Sequence, residues 1–302
     1  MISVVLCTHN PRADFLARTL DSLQNQDLPL SKWELVLIDN QSSEPLAGRT
    51  DLDWHPQARI VREDELGLTP ARLRGIAETS GELLVFVDDD NVLQPDYLRI
   101  AAELAAQTPH LGCWGGSCFG EFEPPPPDWA KTYLCYLAIR EVTRFTWANE
   151  YRYDIVPTGA GMCIRRPIAD TYARSTRDNP LRRELDRKGA SLVSGGDSDL
   201  AFTAIDQGLS IGLSPQLSLR HLMPKGRLEL SYLERLLEGI SASSPLVLHL
   251  HGVKTNPPAT SKLSHWLESY RLWRQPEPVR RLEAARARGL QKALAQLGKL
   301  VA

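Results

Sequence analysis

The feature that most constrains this chain is a repeated pairing of a short apolar run with an abrupt polar stop. Ser3 to Cys7 is apolar and rich in β-branched residues, and it gives way to Thr8-His9-Asn10-Pro11. Glu34 to Ile38 (ELVLI) ends on Asp39-Asn40-Gln41-Ser42-Ser43, and Glu82 to Val87 (ELLVFV) ends on Asp88-Asp89-Asp90. Runs this short and this apolar fit strands buried on both faces. Between them, apolar residues recur at helical spacing: Leu16, Leu20 and Leu23; Leu73, Ile76 and Ala77; Tyr97, Ala101 and Leu104. Asn10-Pro11, Thr69-Pro70 and Pro95 are placed to open these helices, because proline suits the first helical position. Strands alternating with amphipathic helices predict an α/β fold with a Rossmann-like, mainly parallel central sheet flanked by helices. In such sheets ligands bind beyond the carboxyl ends of the strands. Asp39 and the triple aspartate both sit at such ends.

Composition narrows the functional classes. The chain has 302 residues, 42% hydrophobic and 24% charged, which is ordinary for a globular protein with a sizeable core. A net charge of -2 offers no basic field for nucleic acid. Five cysteines (Cys7, Cys113, Cys118, Cys135, Cys163) form no C-x-x-C pair, which argues against zinc and against a disulfide scaffold, and for a cytoplasmic setting. The N-terminus lacks a basic leader and is expected to be a buried strand rather than a signal peptide. No stretch approaches the roughly 20 apolar residues of a spanning helix. Any membrane contact is therefore expected to be peripheral, at the inner face of the cell membrane.

The rest of the chain is less regular. Cys113 to Phe122 is rich in glycine and aromatics and runs into Pro124-Pro125-Pro126-Pro127-Asp128-Trp129, expected as a stiff surface loop. Val156 to Ile164 has the look of a turn entering a strand. Arg174 to Gly189 is strongly charged and expected to be an exposed loop or helix. Ser194-Gly195-Gly196-Asp197 precedes a helical stripe of Leu200, Ala201, Ala204 and Ile205 that stops at Gly208. Ile211 to Leu222 is expected to be a strand pair or a strand with an irregular exit. From Leu228 onward the pattern is helical, with stripes at Leu233, Leu236, Leu237 and Ile240, at Leu263, Trp266, Leu267, Tyr270 and Trp273, and at Val279, Leu282, Leu290, Leu294 and Leu297. The last stripe is interleaved with Arg280, Arg281, Arg286, Arg288, Lys292 and Lys299. Such a basic amphipathic tail suits an anionic membrane surface, helical packing or a homodimer contact.

Three adjacent carboxylates repel one another, increasingly so as water is excluded. A divalent cation resolves this. Asp88 and Asp90 lie two apart and share a side of an extended chain, and carboxylate, phosphate and water oxygens are what Mg2+ and Mn2+ favour. The plainer alternative is a solvated turn in which Asp90-Asn91 cap the next helix. The position directly after a buried strand favours the site.

At this point the chain resembles the inverting glycosyltransferases of family 2, which have the GT-A fold. SVVLCTHNPRADFLARTLDSLQNQ resembles that family's first strand, loop and helix, and ELVLIDNQSSEP its second strand. GLTPARLRGIAETSGELLVFVDDDNVLQPDYL resembles its Arg-bearing helix and D-x-D strand; SGGDSDLAF resembles its later acidic motif, and RHLMPKGRL a His-containing segment after it. The resemblance covers about residues 1 to 230. It departs at Glu65 and Leu73, where the family often has Asn, and at Gly196, where Glu commonly precedes the acidic motif's Asp.

The resemblance implies a metal-dependent transfer of sugar from a nucleotide-diphosphate sugar to a hydroxyl of a glycan, lipid-linked or small-molecule acceptor, in the polysaccharide-building class of transferases. Mn2+ or Mg2+ is the implied cofactor, held by Asp88, Asp90 and His221. Thr8, Asn10, Asp39, Arg72, Asp88 and Asp89 are the implied nucleotide contacts. Asp197 is the implied general base, with Asp199 as its rival; an N-cap role without chemistry is the alternative for Asp197. Trp129, Gly159 and Asp199 are expected near the acceptor. The implied organisation is a catalytic domain over residues 1-225, with a donor half to about 110 and an acceptor half from 111, followed by a C-terminal helical extension over 226-302. Two other classes remain in view: a sugar nucleotidyltransferase, disfavoured because residues 7-11 lack a glycine-rich loop, and a catalytically silent binding protein on the same fold.

Overall fold

The computed structural model describes residues 1-189, 191-253 and 270-301, with side chains to residue 300. The part of the second tail stripe from Leu263 to Leu267 lies outside the described residues. The central sheet is built from β1 (Ile2–Thr8), β2 (Trp33–Asn40), β3 (Ala58–Glu63), β4 (Leu83–Asp88), β5 (Asn91–Leu93), β6 (Leu111–Phe122), β7 (Thr146–Ala148), β8 (Cys163–Arg165) and β9 (Ser210–Met223). Its order is β3-β2-β1-β4-β8-β6-β9-β5, with β7 paired to β9. The pairings among β1 to β4 are parallel, as is β6 with β9; β8, β5 and β7 join antiparallel.

Alternation explains why the first strands bury both faces. Val4, Leu6, Leu35, Leu37, Val85 and Val87 enter one apolar core. Val5, Val36, Ile38, Leu84 and Phe86 enter the core on the other side. Successive side chains of a strand point to opposite faces, so continuous apolar runs need helices on both sides. Those are α1 (Ala13–Gln24), α2 (Leu68–Glu78), α3 (Tyr97–Gln107), α4 (Arg166–Arg177), the single turn α5 (Pro180–Arg183) and α6 (Gly196–Asp206). The result is the expected mainly parallel α/β sheet.

Several local expectations are corrected. The helix after Asn10-Pro11 begins only at Ala13, with Arg12 at its cap, because Asn10 adopts a left-handed φ of 49° and turns the chain first. Asp90-Asn91 does not cap a helix: Asn91 opens β5, whose partner is β9. Cys113 to Phe122 belongs to the twelve-residue β6, and Ile211 to Leu222 is one long strand. The edge strand β3 has no counterpart in the sequence reading, because ARIVRE is half-buried and mixed in polarity. The charged stretch 174-189 is only partly exposed: Arg182, Leu185 and Asp186 are buried. Helix α7 (Leu230–Leu250) and the C-terminal helix Glu277–Val301 pack on each other along their length. No helix among the described residues is long and apolar enough to cross a membrane.

Candidate active site

A cleft of about 1670 Å³ opens where β1 and β4 end. Its floor carries Cys7 and Thr8 from β1, Asn40 from β2, and Asp88, Asp89 and Asp90 from β4 and the turn after it. Parallel strands ending side by side bring these residues together, since Thr8 aligns with Asp39 and Cys7 with Asp88 in register.

Each aspartate of the triplet has a different environment. Asp90 is buried; its Oδ2 lies 3.2 Å from His221 Nε2 and 3.0 Å from Arg227 Nη2, and its Oδ1 accepts from Asn91 at 2.9 Å. Burial alone would raise its pKa, but His221 and then Arg227 outweigh burial and hold the carboxyl well below the usual range. Asp89 accepts a hydrogen bond from Thr8 Oγ1. Burial, and then the charge of Asp90, push Asp89 up to about 7. Asp88 is also raised, by burial first and Asp90 second, with Arg72 opposing. Among the described residues none donates a hydrogen bond to the Asp88 carboxylate. It faces the cleft.

Across the cleft, Asp197 sits in the first turn of α6. Its Oδ1 meets Arg72 Nη2 at 2.5 Å, and its Oδ2 accepts from the Gly159 backbone N–H at 2.8 Å. Arg72 is 2% exposed and also reaches Asp186 Oδ2 at 3.3 Å, with its guanidinium over the Phe86 ring. Glycine at 159 leaves room for this pairing: a Cβ there would press on the ends of Arg72 and Asp197 and shift them. A Cβ on Gly196 would likewise run into the Asp186 carboxylate, which occupies the space there. Burial raises the Asp186 carboxyl, against the pull of Arg72.

The structure therefore brings Thr8, Arg72, Asp88, Asp89, Asp90, Gly159, Asp197 and His221 to one cleft. It places four expected residues elsewhere. Asp39 is 1% exposed, and its carboxylate accepts from the backbone N–H groups of Ser42 and Leu46 and from Arg62, so it builds the turn beneath Asn40. Asn10 clasps that same turn through Ser43. Asp199 is wholly buried between Arg182 at 2.8 Å and His251 at 2.9 Å. Trp129 packs in the small core beneath α7 rather than lining the cleft. Asp186, Arg140, Arg187 and Arg227 line the cleft without having been singled out from sequence. Arg227 lay in a segment already noted for His221; the other three carried no local signal.

Metal binding can be tested on these contacts. Among the described residues no group of three or more His, Cys, Asp or Glu side chains is close enough together to hold an ion alone. The free Asp88 carboxylate, the raised Asp89 beside it and a buried His221 Nδ1 without a partner nevertheless mark a place short of positive charge. That fits an ion that takes one or two protein carboxylates and completes its shell with phosphate and water oxygens.

The sequence model described as "Glycosyl transferase family 2" matches residues 3–170, more than half of the chain. A validoxylamine A glucosyltransferase from Streptomyces hygroscopicus subsp. jinggangensis is 30% identical over 165 residues, 50% of this chain and 37% of that protein. The chain spans less than half the length of the curated relatives it matches. Among solved structures, the mannosyltransferase PcManGT from Pyrobaculum calidifontis, in complex with GDP-Man and Mn2+, superposes with a TM-score of 0.56 at 20% identity, covering 99% of this chain and 79% of that one. S. aureus TarS 1-349 gives a TM-score of 0.54 at 17% identity, covering 97% and 88%. At these identities the likeness shows a shared fold, GT-A.

Proposed function

The chain belongs to glycosyltransferase family 2, and from that premise we propose that it transfers a sugar from a nucleoside-diphosphate donor to an acceptor hydroxyl, with inversion and with Asp197 as general base. One observation carries the reading: Asp197 projects into the cleft opposite the triple aspartate, with both its oxygens oriented by Arg72 and Gly159. A carboxylate so held takes the proton of the acceptor hydroxyl as that oxygen attacks the anomeric carbon. The bond from that carbon to the diphosphate breaks as the new one forms, so one displacement inverts the centre. Asp199 has no access to the cleft and is set aside as the base.

Asp88 and Asp90 would hold Mn2+ or Mg2+ together with the donor's diphosphate. The ion supplies charge neutralisation of the leaving group. The PcManGT complex with GDP-Man and Mn2+ supports this assignment by analogy of fold. His221 orients Asp90 through its Nε2, 3.2 Å from Asp90 Oδ2. Arg227 adds fixed positive charge beside the diphosphate, of the kind that stabilises a developing anion. Thr8 fixes Asp89, and Asn40 and Gly67 line the nucleotide end. Arg72 serves Asp197 instead of the nucleotide. We retain the division near residue 225, with the C-terminal helices closing the acceptor side of the catalytic unit.

Calorimetry with UDP and GDP provides the test, paired with donor turnover. Nucleotide binding is expected to need Mn2+ or Mg2+ and to vanish with chelator. Asp197→Asn is expected to bind nucleotide normally while turnover falls about 10²–10⁴-fold. Chelator-insensitive binding would remove the metal from the proposal, and wild-type turnover in Asp197→Asn would remove the base.

A further inference from the structure

The arginines of the cleft differ in one respect. Arg72 meets Asp186 and Asp197, Arg227 meets Asp90, Arg152 meets Asp154 and Arg286 meets Glu283. Arg187 stands at the acidic end, where its charge lowers the carboxyls of Asp90 and Asp186. Arg140 and Arg144 both line the cleft and, among the described residues, neither forms an ion pair; Asp154 acts on Arg140 only at longer range.

Arg140 is built into the wall. Its backbone exchanges two hydrogen bonds with Cys118 of β6, at 2.9 and 3.0 Å. Its Nη1 donates to the Val156 carbonyl at 2.8 Å, and its other guanidinium donors have no partner among the described residues. The nearest acid in the electrostatic sense, Asp154, is taken up by Arg152 through two contacts. Burial pulls the Arg140 pKa down. The Arg140 guanidinium is thus partly withdrawn from water with donors to spare, an arrangement that a bound anion improves. Arg144 follows four residues later, exposed, on the same stretch of chain. Val156 is three residues from Gly159, whose N–H holds Asp197. A chain of that length reaches at most about 10 Å, so one acceptor unit can touch both Arg140 and the base.

We propose that this end of the cleft is a subsite for an anionic acceptor, one whose sugar or polyol units carry phosphate or carboxylate groups, gripped by Arg140 and Arg144. The inference rests on the transferase reading for the word acceptor; the anion site itself rests on the two arginines. Guanidinium is the side chain best matched to both anions, through paired N–H donors in a plane.

The full chain would be titrated with three probes: a glycerol-phosphate oligomer, an oligogalacturonate and a neutral maltooligosaccharide. At least one anionic probe is expected to bind about tenfold or more tightly than the neutral one. Arg140→Gln and Arg144→Gln are each expected to weaken that binding about tenfold, the size of one lost charge-assisted hydrogen bond. Preference for one anionic probe identifies the group as phosphate or carboxylate, and either result supports the subsite. Equal binding of all three probes, or anion binding unchanged in Arg144→Gln, overturns it. Arg144 is exposed and its substitution leaves the packing intact, so the test stands even where Arg140→Gln fails to fold. Nucleoside-diphosphate affinity is measured on the same samples. Its absence would sink the donor reading, while arginine-dependent anion binding would still uphold this site.

Discussion

The two walls of the cleft are made in opposite ways. The inner wall is the ends of β1, β2 and β4, three neighbouring parallel strands whose last residues are fixed by sheet register. Its charges are acidic, and those that are buried are answered by Arg72 and Arg227. The outer wall is gathered from Tyr136 to Arg144, from Arg152 to Ala160, from α7 and from the C-terminal helix. There Arg140 and Arg144 form no ion pair among the described residues. An inner wall set by register suits the part of the reaction common to a whole family, and an outer wall assembled from loops and a helical hairpin suits the part that differs between members.

The inner wall's dependence on charge balance predicts the largest effect. Arg72→Leu leaves the buried Asp186 without its ion-pair partner and beside the partly exposed Asp197, and the protein is expected to lose about 3–5 kcal/mol of stability in urea unfolding. A loss below about 1 kcal/mol would mean the carboxylates neutralise themselves and that the inner wall is no more constrained than the outer. Arg72→Leu with Asp186→Asn should recover part of the loss.

A middle-sized effect tests whether the tail belongs to the outer wall. Gly289 lies where the C-terminal helix crosses α7, and a Cβ there would meet the Glu238 carbonyl. Gly289→Val is expected to cost about 1–3 kcal/mol by overpacking. Because Arg286 and Leu290 flank it in the cleft, acceptor binding should weaken while nucleotide affinity holds. Unchanged acceptor binding would separate the tail from the site. Two basic residues of this helix pair with α7, Arg281 with Glu234 and Arg288 with Glu238, and so tie the two helices together.

The smallest effect concerns how α7 is tied to the catalytic helix. His251, at the end of α7, lies 2.9 Å from Asp199 and 2.7 Å from Asp206, both on α6, with Arg182 sharing Asp199. Burial works against charge on this imidazole, but the two carboxylates outweigh it and raise its pKa. A raised folded-state pKa means stability that is present below the unfolded value near 6.5 and is lost as pH rises through the folded one. Melting temperature measured from pH 6 upward should therefore decline more steeply in the native chain than in His251→Gln. Identical slopes would show that this clamp carries no charge.

The strand ends were legible because an apolar run followed by acids needs no distant information. Asp88, Asp90 and Asp197 sit at element boundaries, and boundaries leave a mark in one dimension. Asp39 misled for the same reason: it too ends a strand, yet its carboxylate points into the Ser42–Leu46 turn and is used up by backbone donors. Trp129 misled through its aromatic ring, which found a packing place under α7.

By itself the sequence determined the parallel sheet, its flanking helices and the end of the sheet at which the site forms, because hydrophobic periodicity dictates which faces are buried. Tertiary structure alone decided the rest. Asp186 reaches Arg72 across 114 residues of chain, a contact with no local trace. Gly196 looked like a departure from the family's pattern until Asp186 was seen to occupy its space. Asp197, the expected base, and its rival Asp199 two residues on are set apart by the turn of one helix: one faces the cleft, and the other is sealed against His251. Charge pairing at a distance is a property of the packed chain, and it decides which acids face the cleft and which are sealed inside.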